Sequence, residues 1–270
     1  MILSQSFQSH RKTASKSDNT WTHKFSPEKE TAASKKNQQL GPRQPIISSS
    51  SAETSQSNVM VNHPQSPIIS LFVGARQRLF AVHRDTLCKS PFFHNTIYNM
   101  YEGVVERISL PNEEPEAFDA VLQYLYSGDY YPRLVHNEQQ DSWELEASDI
   151  SQGILYHPGL DVDILKDTVV YCSANKYGLE GLKALALRKQ ALYGDLKCGV
   201  VLASARYAYA NTPDTEMHLR AHFLTLLVRN RHVFSRSGTM QHELYNGGTL
   251  FFFDLFVAMC NFIDDVQHDH

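Results

Sequence analysis

The triplet His83-Arg84-Asp85 is the most obvious candidate for a catalytic motif in this sequence, because His-Arg-Asp opens the catalytic loop of protein kinases. That loop also needs an Asn a few residues after the Asp, where it binds the second Mg²⁺, but Ser90 and Pro91 stand there instead. The chain also lacks a Gly-rich phosphate loop, a Val-Ala-Ile-Lys strand and an Asp-Phe-Gly triplet. The sequence therefore excludes a protein kinase.

A second pattern is the pair His218 and His222, whose i, i+4 spacing places both imidazoles on one helix face, where they could ligate a metal ion. Leu219 follows the first histidine, so the pair lacks the glutamate of the His-Glu-x-x-His motif, and no third ligand can be named. Both histidines flank an apolar stripe, which favours a place at the boundary of a core. We predict no catalytic residue, no metal and no cofactor, and keep a metal-dependent enzyme as a distant alternative.

The first 66 residues differ in composition from the rest of the chain. They are rich in Ser, Gln, Thr and Lys and contain eight Lys or Arg against four Asp or Glu, a net charge of +4. Subtraction from the whole-chain charge of −4 leaves −8 for residues 67–270. The polar segment predicts a disordered tail, since it offers little apolar surface to bury. The acidic remainder argues against a duplex-binding protein, which needs a clustered basic face.

The four cysteines are far apart in the sequence and never form a Cys-x-x-Cys pair. This pattern predicts reduced thiols in an intracellular protein of the cytoplasm, the nucleus or both. No N-terminal apolar run is long enough for a signal peptide. The most apolar segment, 250–263, is too short to span a bilayer and predicts a buried helix. A helix that fills a partner's groove or lies on a membrane surface remains an alternative for it.

An α/β pattern opens the predicted folded part. Residues 68–73 are almost wholly apolar and end at Gly74, which predicts a strand buried on both faces. The run 79–82 predicts a second strand, hence a hairpin. Two short helices are predicted over 83–88 and 90–98, and the alternation in VERISLP predicts a third strand.

The clearest helix lies in NEEPEAFDAVLQYLYSGD, with Pro115 in its first turn and Gly128 as its C-cap. Its apolar stripe, at i, i+3, i+4, i+7 and i+8, consists of Phe118, Val121, Leu122, Leu125 and Tyr126. We predict that this helix belongs to the core. The polar stretch 131–161 predicts a loop, and the remaining sequence predicts helices.

Three stretches read together, FVGARQRLFAVHRDTLCKSPFF, ISLPNEEPEAFDAVLQYLYSGDY and ANKYGLEGLKALA, resemble the BTB/POZ domain, most closely that of the BTB proteins numerous in filamentous fungi. The resemblance covers about residues 67–192. It implies an α/β (α+β) fold with a small mixed sheet flanked by helices, followed by an all-α extension. The predicted division is a disordered tail (1–66), a BTB/POZ core (67–130), an insertion loop (131–161), the C-terminal helices of the domain (162–193) and a helical extension (194–270).

The resemblance implies a non-enzymatic adaptor or scaffold that binds proteins and often forms homodimers, with no nucleic acid or membrane partner. Some family members bind a cullin and present substrates for ubiquitin transfer. Their docking element is a hydrophobic residue, any residue and a Glu before the third strand, a place that Met100, Tyr101 and Glu102 occupy here. The alternative is an oligomerising or transcription-linked scaffold without a ligase.

In this family the Val-His-Arg/Lys-x-x-Leu stretch is structural, so the resemblance assigns structural roles to His83, Arg84 and Leu87, with His83 buried or half-buried. Asp85 is expected near a helix N-terminus, where the dipole favours a carboxylate. Transcription-factor members carry an Asp at the start of the first strand, and it pairs with an Arg in a charged pocket. Arg84 matches that Arg, but Ile68 stands in place of the Asp, which argues against such a pocket here. The same members form dimers by swapping an amphipathic helix that precedes the first strand. The segment before Ile68 shows no apolar periodicity, which argues against a swapped dimer of this kind.

Overall fold

The structure is a computed structural model that describes residues 66–99, 106–146, 149–194, 196–246 and 249–268. All of the predicted tail except Ser66 lies outside these ranges.

A three-stranded mixed sheet begins the fold. Its strands are β1 (Ile68–Val73), β2 (Arg78–His83) and β3 (Arg107–Leu110). The central strand β1 runs antiparallel to β2 and parallel to β3. Gly74 ends β1 at φ 75°, and a Cβ added there would meet the ring of Pro115 at 2.8 Å. The turn of the hairpin is therefore pressed against the start of the helix that follows β3.

Five helices accompany this sheet. They are α1 (Arg84–Leu87), α2 (Pro91–Asn99), α3 (Pro115–Ser127), α4 (Lys166–Tyr177) and α5 (Glu180–Gln190). Ser90 joins two of them, since its hydroxyl donates to the carbonyl of Tyr177 at 2.7 Å and accepts from the amide of Phe93 at 3.4 Å. The α/β fold with a small mixed sheet and flanking helices is confirmed.

Only one face of β1 is fully buried. Ile69, Leu71 and Val73 are at most 1% exposed, whereas Ile68 on the opposite face is 60% exposed. The prediction of a strand covered on both faces is therefore wrong. An apolar run shows that a strand is apolar on both sides, but the helices of this domain cover only one of them.

Helix α3 follows the sequence prediction closely. Pro115 stands in its first turn, and Gly128 caps its C-terminus in the left-handed conformation at φ 81°. Phe118 and Leu122 are buried, as predicted for the stripe, whereas Tyr126 is 49% exposed. The stripe is longer than the core that it packs against, so its last residue emerges at the surface.

The polar stretch 131–161 contains strands where its composition predicts a loop. One hairpin joins β4 (Leu134–Asn137) to β5 (Ser142–Leu145), and a second joins β6 (Ile154–His157) to β7 (Val162–Leu165). A 3-10 helix (Ile150–Gly153) precedes the second hairpin. The strands are only four residues long, and the polar turns and linkers between them dominate the composition of this stretch, which conceals even the largely apolar β6 and β7.

Five helices make up the rest of the described chain. They are α6 (Cys198–Asn211), α7 (His218–Arg229), α8 (Arg231–Phe234), α9 (Gly238–Asn246) and α10 (Leu250–His268). The helical nature of the extension is confirmed. Its buried apolar side chains belong to the same core cluster as those of the sheet and α1–α5. The four cysteines are free thiols.

Candidate partner-binding site

Met100, Tyr101 and Glu102, the three residues predicted to dock a cullin, lie outside the described residues. The structure describes both sides of them. Helix α2 ends at Asn99, and the chain returns at Glu106, whose carbonyl accepts a hydrogen bond from the amide of Ser70 at 2.8 Å. The predicted docking segment therefore connects the C-terminal end of α2 to β3, which is an edge strand of the three-stranded sheet.

An aromatic and cationic surface precedes this connection on the outward side of α2, and we name it the Tyr98 platform. Tyr98 is 58% exposed, and its ring lies 4.5 Å from the ring of His94, centroid to centroid. The guanidinium of Arg84 lies over the Tyr98 ring at 5.1 Å. The platform offers a partner a π face, a guanidinium and an imidazole, and tyrosine and arginine are enriched at protein interfaces.

The Tyr98 platform forms because α2 is amphipathic. Phe93 and Ile97 are buried on the inner side of the helix, which turns His94 and Tyr98 towards solvent. Arg84 comes from α1, and its Nε atom is buried with no hydrogen-bond partner among the described residues. Arg84 thus contributes to the Tyr98 platform, which ends one residue before α2 does.

His83 is exposed, so the expectation of a buried or half-buried ring is wrong. Its backbone N–H donates to the hydroxyl of Tyr126 at 3.1 Å, and its Nδ1 lies 2.8 Å from the same oxygen. The histidine thereby ties the end of β2 to the last turn of α3. It lies at the surface because its anchor, Tyr126, does.

Leu87, Phe118 and Leu122 of the family pattern are part of the core. Leu87 is completely buried, and the ring of Phe118 packs 5.4 Å from that of Phe80 and 6.1 Å from that of Tyr177, centroid to centroid. Asp85 lies in the first turn of α1, at the favourable end of the helix dipole.

A buried lysine closes the turn after α3. Lys189 of α5 is fully buried, and its ammonium forms an ion pair with Asp129 at 2.5 Å, donates to the carbonyl of Pro132 at 2.7 Å and also donates to the carbonyl of Tyr130. It stands over the Tyr130 ring at 3.7 Å. Burial lowers the pKa of Lys189, although the charge of Asp129 opposes this effect. No sequence pattern distinguishes this lysine from its exposed neighbours.

Asp167 is a buried carboxyl in the first turn of α4, and it accepts a hydrogen bond from the hydroxyl of Tyr130 at 2.7 Å. Burial raises the pKa of Asp167 to about 6, although the Tyr130 hydrogen bond and the charge of Lys189 act in the opposite direction. This carboxyl therefore gains a proton in mildly acidic solution. Nothing in the described contacts places it beside a nucleophile.

Glu216 joins α4 and α5 to the segment that precedes α7. Its carboxylate accepts from the hydroxyl of Tyr171 in α4 at 2.8 Å and from the ammonium of Lys183 in α5 at 2.5 Å. Burial alone would raise the pKa of Glu216, but the bonds from Lys183, Tyr171 and His218 outweigh it and lower the pKa to about 2. A second bond runs from the amide of Leu165 in β7 to the hydroxyl of Ser204 in α6 at 2.8 Å.

His218 and His222, the pair considered for a metal-dependent enzyme, lie in two different environments. His218 has an 82% exposed side chain, with Nδ1 3.3 Å from the carboxylate of Glu216. His222 is half-buried, and burial lowers its pKa to about 4. Across the described ranges, no group of three His, Cys, Asp or Glu side chains is placed to hold a metal ion. The two histidines are boundary residues of α7.

Burial also raises the pKa of the Cys172 thiol, so this side chain is not a thiolate near neutral pH. Within the part of the chain that the structure describes, no helix combines the length and apolar character that a membrane crossing requires.

The sheet, α1–α3 and the first hairpin form a continuous segment of sequence. Residues 69–142 match the family model of the BTB/POZ domain. The match supports a BTB domain protein, and BTB/POZ domains mediate protein–protein interactions and homodimerisation. No curated protein matches the chain.

The sequence reasoning missed one surface and kept a second only as the alternative of a helix that fills a partner's groove. Trp143 of β5 is 39% exposed and lies under the guanidinium of Arg188 at 4.4 Å, which fastens the first hairpin to α5. Helix α10 buries only one side, so the prediction of a buried helix over 250–263 is wrong in part. The 3-4 spacing of its outward residues was the available signal.

Proposed function

We propose that the protein is a non-enzymatic BTB/POZ adaptor that docks a cullin through Met100, Tyr101 and Glu102 and serves as a substrate receptor of a cullin-type ubiquitin ligase. The observation that carries the proposal is the position of the docking segment, between the exposed end of α2 and the edge strand β3. At that position the tripeptide is next to the Tyr98 platform in sequence. The adaptor would act in the cytoplasm, the nucleus or both.

Each group has a defined part in such a contact. Met100 fills an apolar pocket on the cullin, and Glu102 fixes the orientation through a charged hydrogen bond. Tyr98, already 58% exposed, adds aromatic contact area, and Arg84 adds a cation that lies against it. The segment works by surface complementarity, which needs no titrating or nucleophilic group.

The helical extension, predicted over 194–270, is the candidate for binding the client protein. It is joined to the domain through Glu216 and Ser204, so a client held by the extension keeps a fixed orientation relative to the docking segment. We also propose that residues 162–193 complete the BTB/POZ domain, because α4 supplies buried contacts to α3 and Tyr177 packs against Phe118.

The test is a binding assay of the full chain with purified cullin N-terminal domains. We compare the wild type with the Met100→Ala/Glu102→Lys variant, and use Leu160→Glu as control because Leu160 is 51% exposed at the turn of the second hairpin. We expect the double variant to lose at least tenfold in affinity and the control to bind as the wild type does. Equal binding by all three chains, or binding by none, contradicts the ligase proposal.

A second candidate function is an oligomerising scaffold without a ligase. The observation in its favour is the outer face of the three-stranded sheet, where Ile68 and Leu79 are each 60% exposed and Ala81 is exposed between them. A second copy that covers this face would form a homodimer. Sedimentation of the full chain tests this candidate, since Leu79→Glu should dissociate such a dimer. An unchanged dimer rejects this face as its interface.

A further inference from the structure

Helix α10 is apolar on two opposite sides. One side packs into the core through Phe251, Phe252 and Leu255, which are at most 8% exposed. The opposite side carries Phe253, which is 63% exposed, and Phe256, which is 67% exposed. A surface helix of a globular protein ordinarily places polar residues opposite its buried stripe, and a helix that is apolar all round is ordinarily covered all round. The outward side of α10 therefore has the composition of an interface.

The spacing of the outward residues indicates the kind of element that covers them. The outward stripe consists of the exposed Phe253, Phe256, Ile263 and Gln267 and the half-buried Cys260, with the exposed Val257 beside it. These positions follow one another at intervals of three, four, three and four residues, which is the a/d spacing that packs one helix against another. Neither a strand nor a flat surface requires this spacing.

Charge argues against a membrane as the covering surface. Helices that lie on membranes carry Lys and Arg on their polar side, which anionic lipid headgroups attract. Between Leu250 and Gln267 the helix has no basic residue, and its acidic residues are Asp254, Asp264 and Asp265. Anionic headgroups would repel this helix.

The same charges favour a second copy of α10 in the antiparallel direction. Asp264 and Asp265 are exposed in the last turns, beside the negative end of the helix dipole, which is unfavourable for a carboxylate. The first turn, which starts at Leu250, has no acidic residue. An antiparallel partner places each pair of carboxylates beside the other copy's helix N-terminus, whereas a parallel partner brings the four carboxylates together.

The apolar area that α10 offers is that of a small interface. With about 150–250 Å² for a fully exposed aromatic side chain, Phe253 and Phe256 supply on the order of 250 Å² per copy. The exposed parts of Val257 and Ile263 add to this, so that two copies together approach the roughly 1,000 Å² that a specific interface needs.

We propose that the outward side of α10 is a self-association surface, on which the α10 helix of a second copy of this chain packs antiparallel. In the layer arrangement of antiparallel helices, Phe253 then faces Ile263 of the second copy, and Phe256 faces its Cys260. This interface lies outside residues 69–142 and is separate from the exposed sheet face. It adds an association step that does not depend on cullin docking.

Cysteine cross-linking of the full chain tests both the contact and its direction. The variant Phe253→Cys/Ile263→Cys in a Cys260→Ser background places two thiols on the stripe. Within one helix their Cα atoms are about 15 Å apart, at 1.5 Å per residue, which is too far for a disulfide. Mild oxidation followed by mass spectrometry should therefore give a 253–263 disulfide that joins two chains, as mixing of isotope-labelled and unlabelled protein can establish. A 253–253 disulfide, or no cross-link between these positions, overturns the proposal.

Sedimentation at tens of micromolar provides an independent readout. We expect Phe256→Glu to raise the dissociation constant for self-association through α10 at least tenfold relative to the wild type. Leu160→Glu, at the exposed turn of the second hairpin, is the control and should keep the wild-type constant. The proposal is wrong if Phe256→Glu sediments as the wild type does, or if the wild type is a monomer and a different protein covers the stripe.

Discussion

Helices α3 and α10 carry apolar stripes of similar regularity in the sequence and meet different environments in the structure. The stripe of α3 packs against the sheet, α1 and α4. Only its last residue, Tyr126, is exposed. Helix α10 has apolar residues on both sides, and one side faces solvent. The comparison teaches that periodicity identifies a helix face that must be covered, while neighbouring elements decide whether the same chain covers it.

The strongest test of this contrast is Phe118→Ala in α3. Phe118 is completely buried against the rings of Phe80, Phe93 and Tyr177. Removal of a buried phenylalanine ring leaves a cavity and should lower the free energy of unfolding by about 3–5 kcal/mol. Urea unfolding followed by circular dichroism measures this loss. A loss below about 1 kcal/mol would show that α3 is not a core helix.

The ion pair of Glu216 with Lys183 predicts that the folded state loses stability in acid. The folded pKa of Glu216, about 2, is lower than its ordinary value, so its ion pair stabilises the folded state above pH 4.5, and this contribution disappears as the pH falls towards 2. At pH 7 we expect Glu216→Gln to lower the free energy of unfolding by on the order of 3 kcal/mol. Urea unfolding of both chains at several pH values should show the difference shrinking in acid. A constant difference would contradict the ion pair.

Asp167, in the first turn of α4, predicts the opposite dependence of stability on pH. Its folded pKa of about 6 exceeds the ordinary value of 3.8, so folding favours the protonated form. The contribution of Asp167 to stability is full below pH 3.8 and is lost as the pH rises through 6. Relative to Asp167→Asn, the wild type should lose about 1–3 kcal/mol of unfolding free energy between pH 4 and pH 7. Parallel stability curves for the two chains would exclude a perturbed carboxyl.

The smallest expected effect is that of Phe256→Ala on the outward side of α10. Because Phe256 is 67% exposed, its truncation should change the free energy of unfolding of the single chain by less than about 0.5 kcal/mol. The measurement needs sub-micromolar protein, where self-association does not contribute. Phe118→Ala is the matched substitution in a buried helix. A similar cost for both would mean that the outward side of α10 is packed within the chain.

Much of the fold could be predicted because local patterns and local chemistry agree. Gly128 ends α3 and Gly178 ends α4, both in the left-handed conformation, and Pro115 starts α3 in the turn that tolerates its missing N–H. These signals depend on residues within one or two turns of the feature. The hairpins of 131–165 were missed because the polar turns and linkers around them dominate the composition, although β6 and β7 are themselves largely apolar.

The candidate site was predictable only in part. Its sequence position follows from the order of elements, since Met100 to Glu102 come between a helix and a strand. The Tyr98 platform depends on Arg84, fourteen residues away, and on which side of α2 is buried. Lys189 could not be found at all, because three of its partners, Asp129, Tyr130 and Pro132, are brought to it by the tertiary fold. Long-range contacts of this kind leave no periodic signal.

The hydrogen bond from the amide of Leu165 to the hydroxyl of Ser204 has a practical consequence for recombinant work on this chain. A fragment that stops at residue 193 would leave that buried N–H without its acceptor and would strip the apolar cover of α6 from α4 and β7. Such a fragment would aggregate or bind indiscriminately, and partners captured with it would report on damage. Affinity baits should therefore retain the extension through α10.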